Sequence, residues 1–135
     1  MATPLKSAIN ILKKLKIEQL NPMQIEAKEA IQSKMEVLLL SPTGTGKTLA
    51  FLLPIIENLD ASISEIQVLI LVPSRELAIQ IYEVVRSMGS GFKTNAIYGG
   101  KSGSKDRMEL KHRPAILVGT PGRVADHLRR HTFST

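Results

Sequence analysis

Apolar residues in this chain fall into short unbroken runs and into longer stretches where they recur every three or four positions. The alternation of these two patterns sets out the elements. Leu5, Ala8, Ile9 and Leu12 share one helical face, with Thr3 as cap and Pro4 at the first helical position. Asn21-Pro22-Met23-Gln24 opens a second helix in the same way, with Gln24 three residues after the cap as in a capping box, and Ile25, Ala27, Ala30 and Ile31 as its packing face. Val37 to Leu40 is the first unbroken run and predicts a buried strand. Helical spacing returns from Thr48 to Leu59 through Leu49, Leu52, Leu53, Ile56 and Leu59, with Pro54 expected to kink the helix or leave one carbonyl unbonded. Ile66 to Val72 predicts a second strand, unbroken as in parallel sheets covered on both faces. Leu77, Ile81, Val84, Val85 and Met88 then mark a helix that Gly89 and Gly91 stop. Lys93 to Tyr98 is a weaker strand, Asp106 to Lys111 a short charged helix, Ala115 to Val118 a fourth strand, and Arg123 to Arg130 a last helix with Val124 and Leu128 inward. Strands alternating with helices at this spacing predict an α/β fold with an open, mainly parallel sheet. In such a sheet the ligand crevice lies at the carboxyl ends of the strands.

Composition narrows this picture. The chain has 135 residues, 43% of them apolar, enough for one domain with a core and too few for two of usual size. It has no run of 18 apolar residues and no secretory leader pattern, so no membrane partner is expected and a cytoplasmic location is. The absence of cysteine excludes disulfides and thiolate metal sites. Lys and Arg outnumber Asp and Glu by 18 to 12, a net charge of +6 that favours polyanionic partners. His112, His127 and His131 lack metal-site spacing, and solvent-facing or packing roles are their default.

The chemistry centres on Ser41-Pro42-Thr43-Gly44-Thr45-Gly46-Lys47-Thr48, placed between an expected strand and an expected helix. Gly44 and Gly46 allow a turn tight enough to aim several N–H groups, with those of the following helix, into one cavity for anionic oxygens. Lys47 can then reach the β- and γ-phosphates of a nucleotide, and the Thr48 hydroxyl can join the shell of a bound Mg²⁺. The pattern G-x-x-x-x-G-K-[ST] asks for Gly where Ser41 stands, so its looser form is met. Three further segments end expected strands: Pro73-Ser74-Arg75-Glu76, Gly99-Gly100 and Thr120-Pro121-Gly122-Arg123. Glycines there permit close backbone approach, while Arg75 and Arg123 offer forked donors for phosphate.

Together these segments resemble the amino-terminal RecA-like domain of the DEAD-box RNA helicases. The phosphate loop is similar to motif I, Pro73-Ser74-Arg75-Glu76-Leu77-Ala78 to motif Ia with Ser74 for the usual Thr, Gly99-Gly100 to the glycine doublet, and Thr120-Pro121-Gly122-Arg123 to motif Ib. They stand in family order over essentially the whole chain. The resemblance implies a three-layer RecA-like P-loop domain with helices on both sheet faces, spanning residues 1–135, with a helical Q-motif region at about 1–34.

It implies ATP and Mg²⁺ as cofactors, held by Gln24, Thr43, Gly44, Thr45, Gly46, Lys47 and Thr48, with Lys47 and Thr48 also in the catalytic set and Thr48 toward the metal. Gln24, 23 residues before Lys47, corresponds to the glutamine that reads adenine. The proline and threonine usual before it are here Leu20 and Asn21. Pro73, Arg75, Gly99, Gly100, Thr120, Gly122 and Arg123 correspond to residues that grip RNA, single-stranded or in a duplex. The family's Asp-Glu-Ala-Asp run and its second, carboxy-terminal RecA-like domain are not among these residues. The expectation is therefore an inactive, nucleotide-binding piece of an ATP-dependent RNA helicase. A DNA helicase or another P-loop ATPase, and a non-catalytic nucleic-acid-binding module, stay open as alternatives.

Overall fold

The computed structural model describes residues 8–41, 46–100 and 103–132. Expectations for residues 1–7, including the Thr3-Pro4 helix start, lie outside the described residues, as do those for Thr43, Gly44 and Thr45. Six helices and three strands are described: α1 Ala8–Leu15, α2 Pro22–Ser33, α3 Lys47–Glu57, β1 Val68–Leu71, α4 Arg75–Met88, β2 Thr94–Ile97, α5 Gly103–Glu109, β3 Ile116–Gly119 and α6 Pro121–Arg129. All strand pairing is parallel, in the order β1-β3-β2, with Leu69 and Asn95 both in register with Leu117.

Burial follows from that order. β3 is central and buried along its whole length. Its Ile116 and Val118 join a core with Ile11 of α1, Leu49, Leu52, Leu53 and Ile56 of α3, and Ala78, Ile81, Val85 and Met88 of α4. Its Leu117 points the other way, into a smaller core with Ile97, Leu110 after α5 and Val124 of α6. Helices thus cover both faces of a parallel sheet, the mixed α/β architecture expected of a RecA-like P-loop domain.

Three expectations change. Val37 to Leu40 is not a strand: residues 34–41 carry no ladder among the described residues, and Leu38 and Leu40 are 84% and 83% exposed. An apolar run becomes a strand only when a neighbour pairs its N–H and C=O groups, and β1 is paired only to β3. The rim of strand ends therefore has three members, not four. Second, β1 is covered on one face only. Its Val68 and Ile70 pack on the main core, while Leu69 and Leu71, on the Leu117 face by register, are 36% and 55% exposed. Third, Ile25 faces solvent and Gln24 takes the buried place beside Ala27 in α2. That face packs on α3, where Lys28 Nζ lies 3.2 Å from Glu57 and Gln32 Nε2 donates to the same carboxylate at 2.8 Å.

Helix boundaries follow their caps. α3 runs through the buried Pro54 to Glu57, and α6 begins at Pro121, two residues before the expected Arg123, because Thr120 is extended and proline suits the first turn. α4 is capped by Ser74 Oγ, which accepts from Leu77 N at 3.2 Å, and it stops at Gly89 with φ 59°.

Candidate functional site

The carboxyl ends of β1, β3 and β2 lie side by side because backbone bonds continue past the ladder. Val72 N donates to Gly119 O at 3.0 Å and Thr120 N to Ile97 O at 3.2 Å. From this rim α4 and α6 start, so the unpaired N–H groups of two helix amino termini open near the same edge.

Two arginines converge on the loop between β2 and α5. Gly100 has φ 87°, a conformation that favours glycine, and Arg75 Nη1 lies 2.9 Å from where a Cβ on Gly100 would stand. Arg123 Nη2 lies 3.3 Å from the corresponding point at Gly103, with Arg107 Nη1 at 3.5 Å. The Arg75 side chain is 55% exposed and its Nε is 3.8 Å from Glu76, a pair open enough to contribute little. Pro73, Gly99 and Gly122 are exposed, and nothing stands within 4 Å of a Cβ at Gly99 or Gly122. Five of the seven expected nucleic-acid residues are therefore exposed along one rim, where Thr120 and Arg123 are half-buried.

Arg123 is held from beneath. Its Nε lies 3.3 Å from Asp106 Oδ2, and Asp106, fully buried, also meets His127 Nε2 at 3.4 Å. His127, equally buried, has its Nδ1 3.2 Å from Thr132 Oγ1. Sequence reading missed this cluster. Asp106 stood among the charges of a short helix and His127 had only a default role, and no periodicity ties a residue to another 17 or 21 positions away.

The phosphate-loop half is anchored at its ends. Gly46, with φ 84°, precedes α3, and Lys47 in the first turn reaches back so that its Nζ donates to Ser41 O at 2.8 Å. Thr48 is half-buried beside it. Gln24 completes a capping box, with Asn21 N donating to its Oε1 at 2.9 Å and Gln24 N donating to Asn21 Oδ1 at 2.8 Å. Its Nε2 then donates to Gly46 O at 3.3 Å, tying the start of α2 to the loop. The φ of Gly46 favours glycine, and a Cβ there would lie 2.4 Å from that Nε2 and displace it from the Gly46 carbonyl. Of the two roles expected of Gln24, the capping role is therefore seen, and the same side chain also touches the loop.

Among the described residues no group of three His, Asp or Glu could hold a metal ion. A cleft of about 870 Å³ is lined by Arg107, Lys111, Arg113 and Arg130 among others, and by none of the seven expected nucleic-acid residues. Its charges answer local needs: Arg113 Nη1 donates to Leu110 O at 2.9 Å, and Arg130 Nε lies 3.3 Å from Asp126. No described helix is long and apolar enough to cross a membrane.

Comparison with known proteins finds relatives over most of the chain. An ATP-dependent RNA helicase, CshA, of Limosilactobacillus reuteri is 41% identical over 128 residues, covering 93% of this chain and 26% of that protein. The ATP-dependent RNA helicase DeaD of Escherichia coli K12 is 38% identical over 136 aligned positions, covering 98% of the chain and 21% of its own length. The chain thus spans about a quarter of the first relative and about a fifth of the second. The crystal structure of a hypothetical ATP-dependent RNA helicase from Sulfolobus tokodaii shares the fold, with a TM-score of 0.79 at 24% identity over 93% of this chain and 38% of that one. The DEAD/DEAH box helicase family model matches residues 21–135, all of the rim, Gln24 and the phosphate loop, and the chain belongs to that family.

Proposed function

We propose that this chain is the nucleotide-binding and RNA-backbone-contacting part of an ATP-dependent RNA helicase that works in the cytoplasm. The observation that carries the reading is the convergence of Arg75 on Gly100 and of Arg123 on Gly103, at the sheet edge where α4 and α6 begin. Forked donors, bare glycine backbone and two helix amino termini suit a run of phosphates, and none of them reads a base edge. Pro73, Gly99, Thr120 and Gly122 complete the track, which takes one strand of RNA. ATP is the nucleotide, and its Mg²⁺ is met by the Thr48 hydroxyl. Lys47 exchanges the Ser41 carbonyl for phosphate oxygens, a step that a flexible ammonium can make without moving α3. Gln24 selects adenine, since its amide can accept from the N6 amino group and donate to N7. Thr43, Gly44 and Thr45 complete the phosphate cradle. In the whole helicase a second RecA-like domain is the partner that closes this site.

The reading is tested with two variants. Lys47→Ala should abolish ADP binding measured by calorimetry, and Arg75→Glu with Arg123→Glu should abolish low-salt binding of single-stranded RNA. ADP binding unchanged by Lys47→Ala would sink the nucleotide half, and RNA binding unchanged by the double reversal would sink the other.

A further inference from the structure

Arg123 reaches the rim from the first turn of α6, and a long side chain there has many rotamers available in solution. In this fold it has a fixed base. Asp106 comes from α5, the helix that follows the glycine loop, and its carboxylate is fully buried. One of its oxygens, Oδ2, meets both Arg123 Nε at 3.3 Å and His127 Nε2 at 3.4 Å. A carboxylate accepts, so the Nε2 that faces it donates, while Nδ1 lies 3.2 Å from the Thr132 hydroxyl. His127 lies one turn beyond Arg123 on α6, so the two side chains clasp Asp106 from one helix face. The Arg123 side chain is nevertheless 20% exposed, and its Nη2 lies 3.3 Å from where a Cβ on Gly103 would stand.

We propose that Asp106 is a positioning residue for RNA binding: it orients the guanidinium of Arg123 and couples α5 to α6. The proposal rests on the reading that Arg123 contacts the RNA backbone. A guanidinium can do both jobs because Nε is used internally while the Nη groups lie on the same rigid plane. A lysine, with a single ammonium, could not grip the carboxylate and present a second donor in a set direction. The burial of Asp106 makes the hold strong. A carboxylate withdrawn from water is costly unless paired, so the cluster resists letting Arg123 go.

The test is a double-mutant cycle on residues 1–135, read by fluorescence anisotropy with a fluorescein-labelled single-stranded oligouridylate from about 50 to 200 mM KCl. Arg123→Ala should weaken binding about tenfold, the scale of one charge-assisted hydrogen bond net of water. It should also reduce the slope of log affinity against log salt by about 0.7. Asp106→Ala and the isosteric Asp106→Asn should each reproduce much of that loss and of the slope change, and should add nothing once Arg123 is alanine. Arg123→Lys, which keeps the charge, should behave nearer to Arg123→Ala than to the parent. If Asp106→Ala melts below the assay temperature, Asp106→Asn decides. Parental affinity and slope in Asp106→Asn, beside a weakened Arg123→Ala, would overturn the positioning role. So would an equal further loss on removing Asp106 in the Arg123→Ala background, because Asp106 would then act through the fold alone. Parental binding by Arg123→Ala is a separate result that refutes the RNA track itself, and the proposal with it.

Discussion

Replacing Gly119 with alanine tests whether the end of β3 and the start of α6 are packed as closely as the structure shows. A Cβ at this position would lie 2.6 Å from Val124 Cγ2, 2.9 Å from Ile97 Cγ1 and 3.0 Å from Ile97 O. Ordinary carbon contacts are near 3.5–4.0 Å, so the neighbours must give by roughly 1 Å. They have little room, since Ile97 is 1% exposed and Val124 3%, and the carbonyl belongs to the adjacent strand. Overpacking of this kind costs about 1–3 kcal/mol. For a domain of this length each kcal/mol lowers the melting temperature by about 3–4 °C, so Gly119→Ala should melt roughly 3–12 °C below the parent. The assay is thermal unfolding followed by circular dichroism, with Gly122→Ala as control. Gly122 lies in the first turn of α6 with nothing within 4 Å of a Cβ, and alanine there should leave stability unchanged or raise it by up to about 1 kcal/mol. A Gly119→Ala protein that melts within about 1 °C of the parent would refute the packing argument. An equal fall in both variants would place the fault in α6, not behind Gly119.

Leu52→Ala, at a fully buried position, should cost about 2–5 kcal/mol, whereas Leu38→Ala, at a position 84% exposed, should stay within about 0.5 kcal/mol. Urea unfolding distinguishes them, and a large loss at Leu38 would mean that the 37–40 run is buried after all. Ser74→Ala removes the acceptor of the Leu77 N–H and should cost about 1 kcal/mol, recovered by Ser74→Asp, in the same unfolding assay. Gln24→Ala should weaken ADP more than GDP in calorimetry; equal losses for both would leave Gln24 with its capping role only.

What the sequence determined by itself was whatever is encoded within a few residues. Asn21, Pro22 and Gln24 specify a helix start whichever sheet they end beside, and the structure shows the complete capping box. The periodicity of α4 likewise placed Ile81, Val85 and Met88 in the core. Gly89 and Gly100 stand where the backbone turns to positive φ, which follows from glycine having no Cβ to clash. The three motif segments that follow β1, β2 and β3 were legible for the same reason, since each is local to one strand end. Tertiary structure decided what depends on partners from elsewhere in the chain. Val37 to Leu40 has the composition of a strand, yet pairing is a property of two segments, and among the described residues none pairs with it. Leu69 and Leu71 read as core, but their face is buried only where α5 and α6 extend, and those helices cover the smaller core around Leu117. The capping role of Gln24 was local, whereas its contact with Gly46 arises only on folding, because α2 packs on α3 and so brings it there. Asp106 and His127 are the clearest case: their burial and pairing arise when α5 and α6 meet on one face of the sheet, an event that no spacing along the chain records.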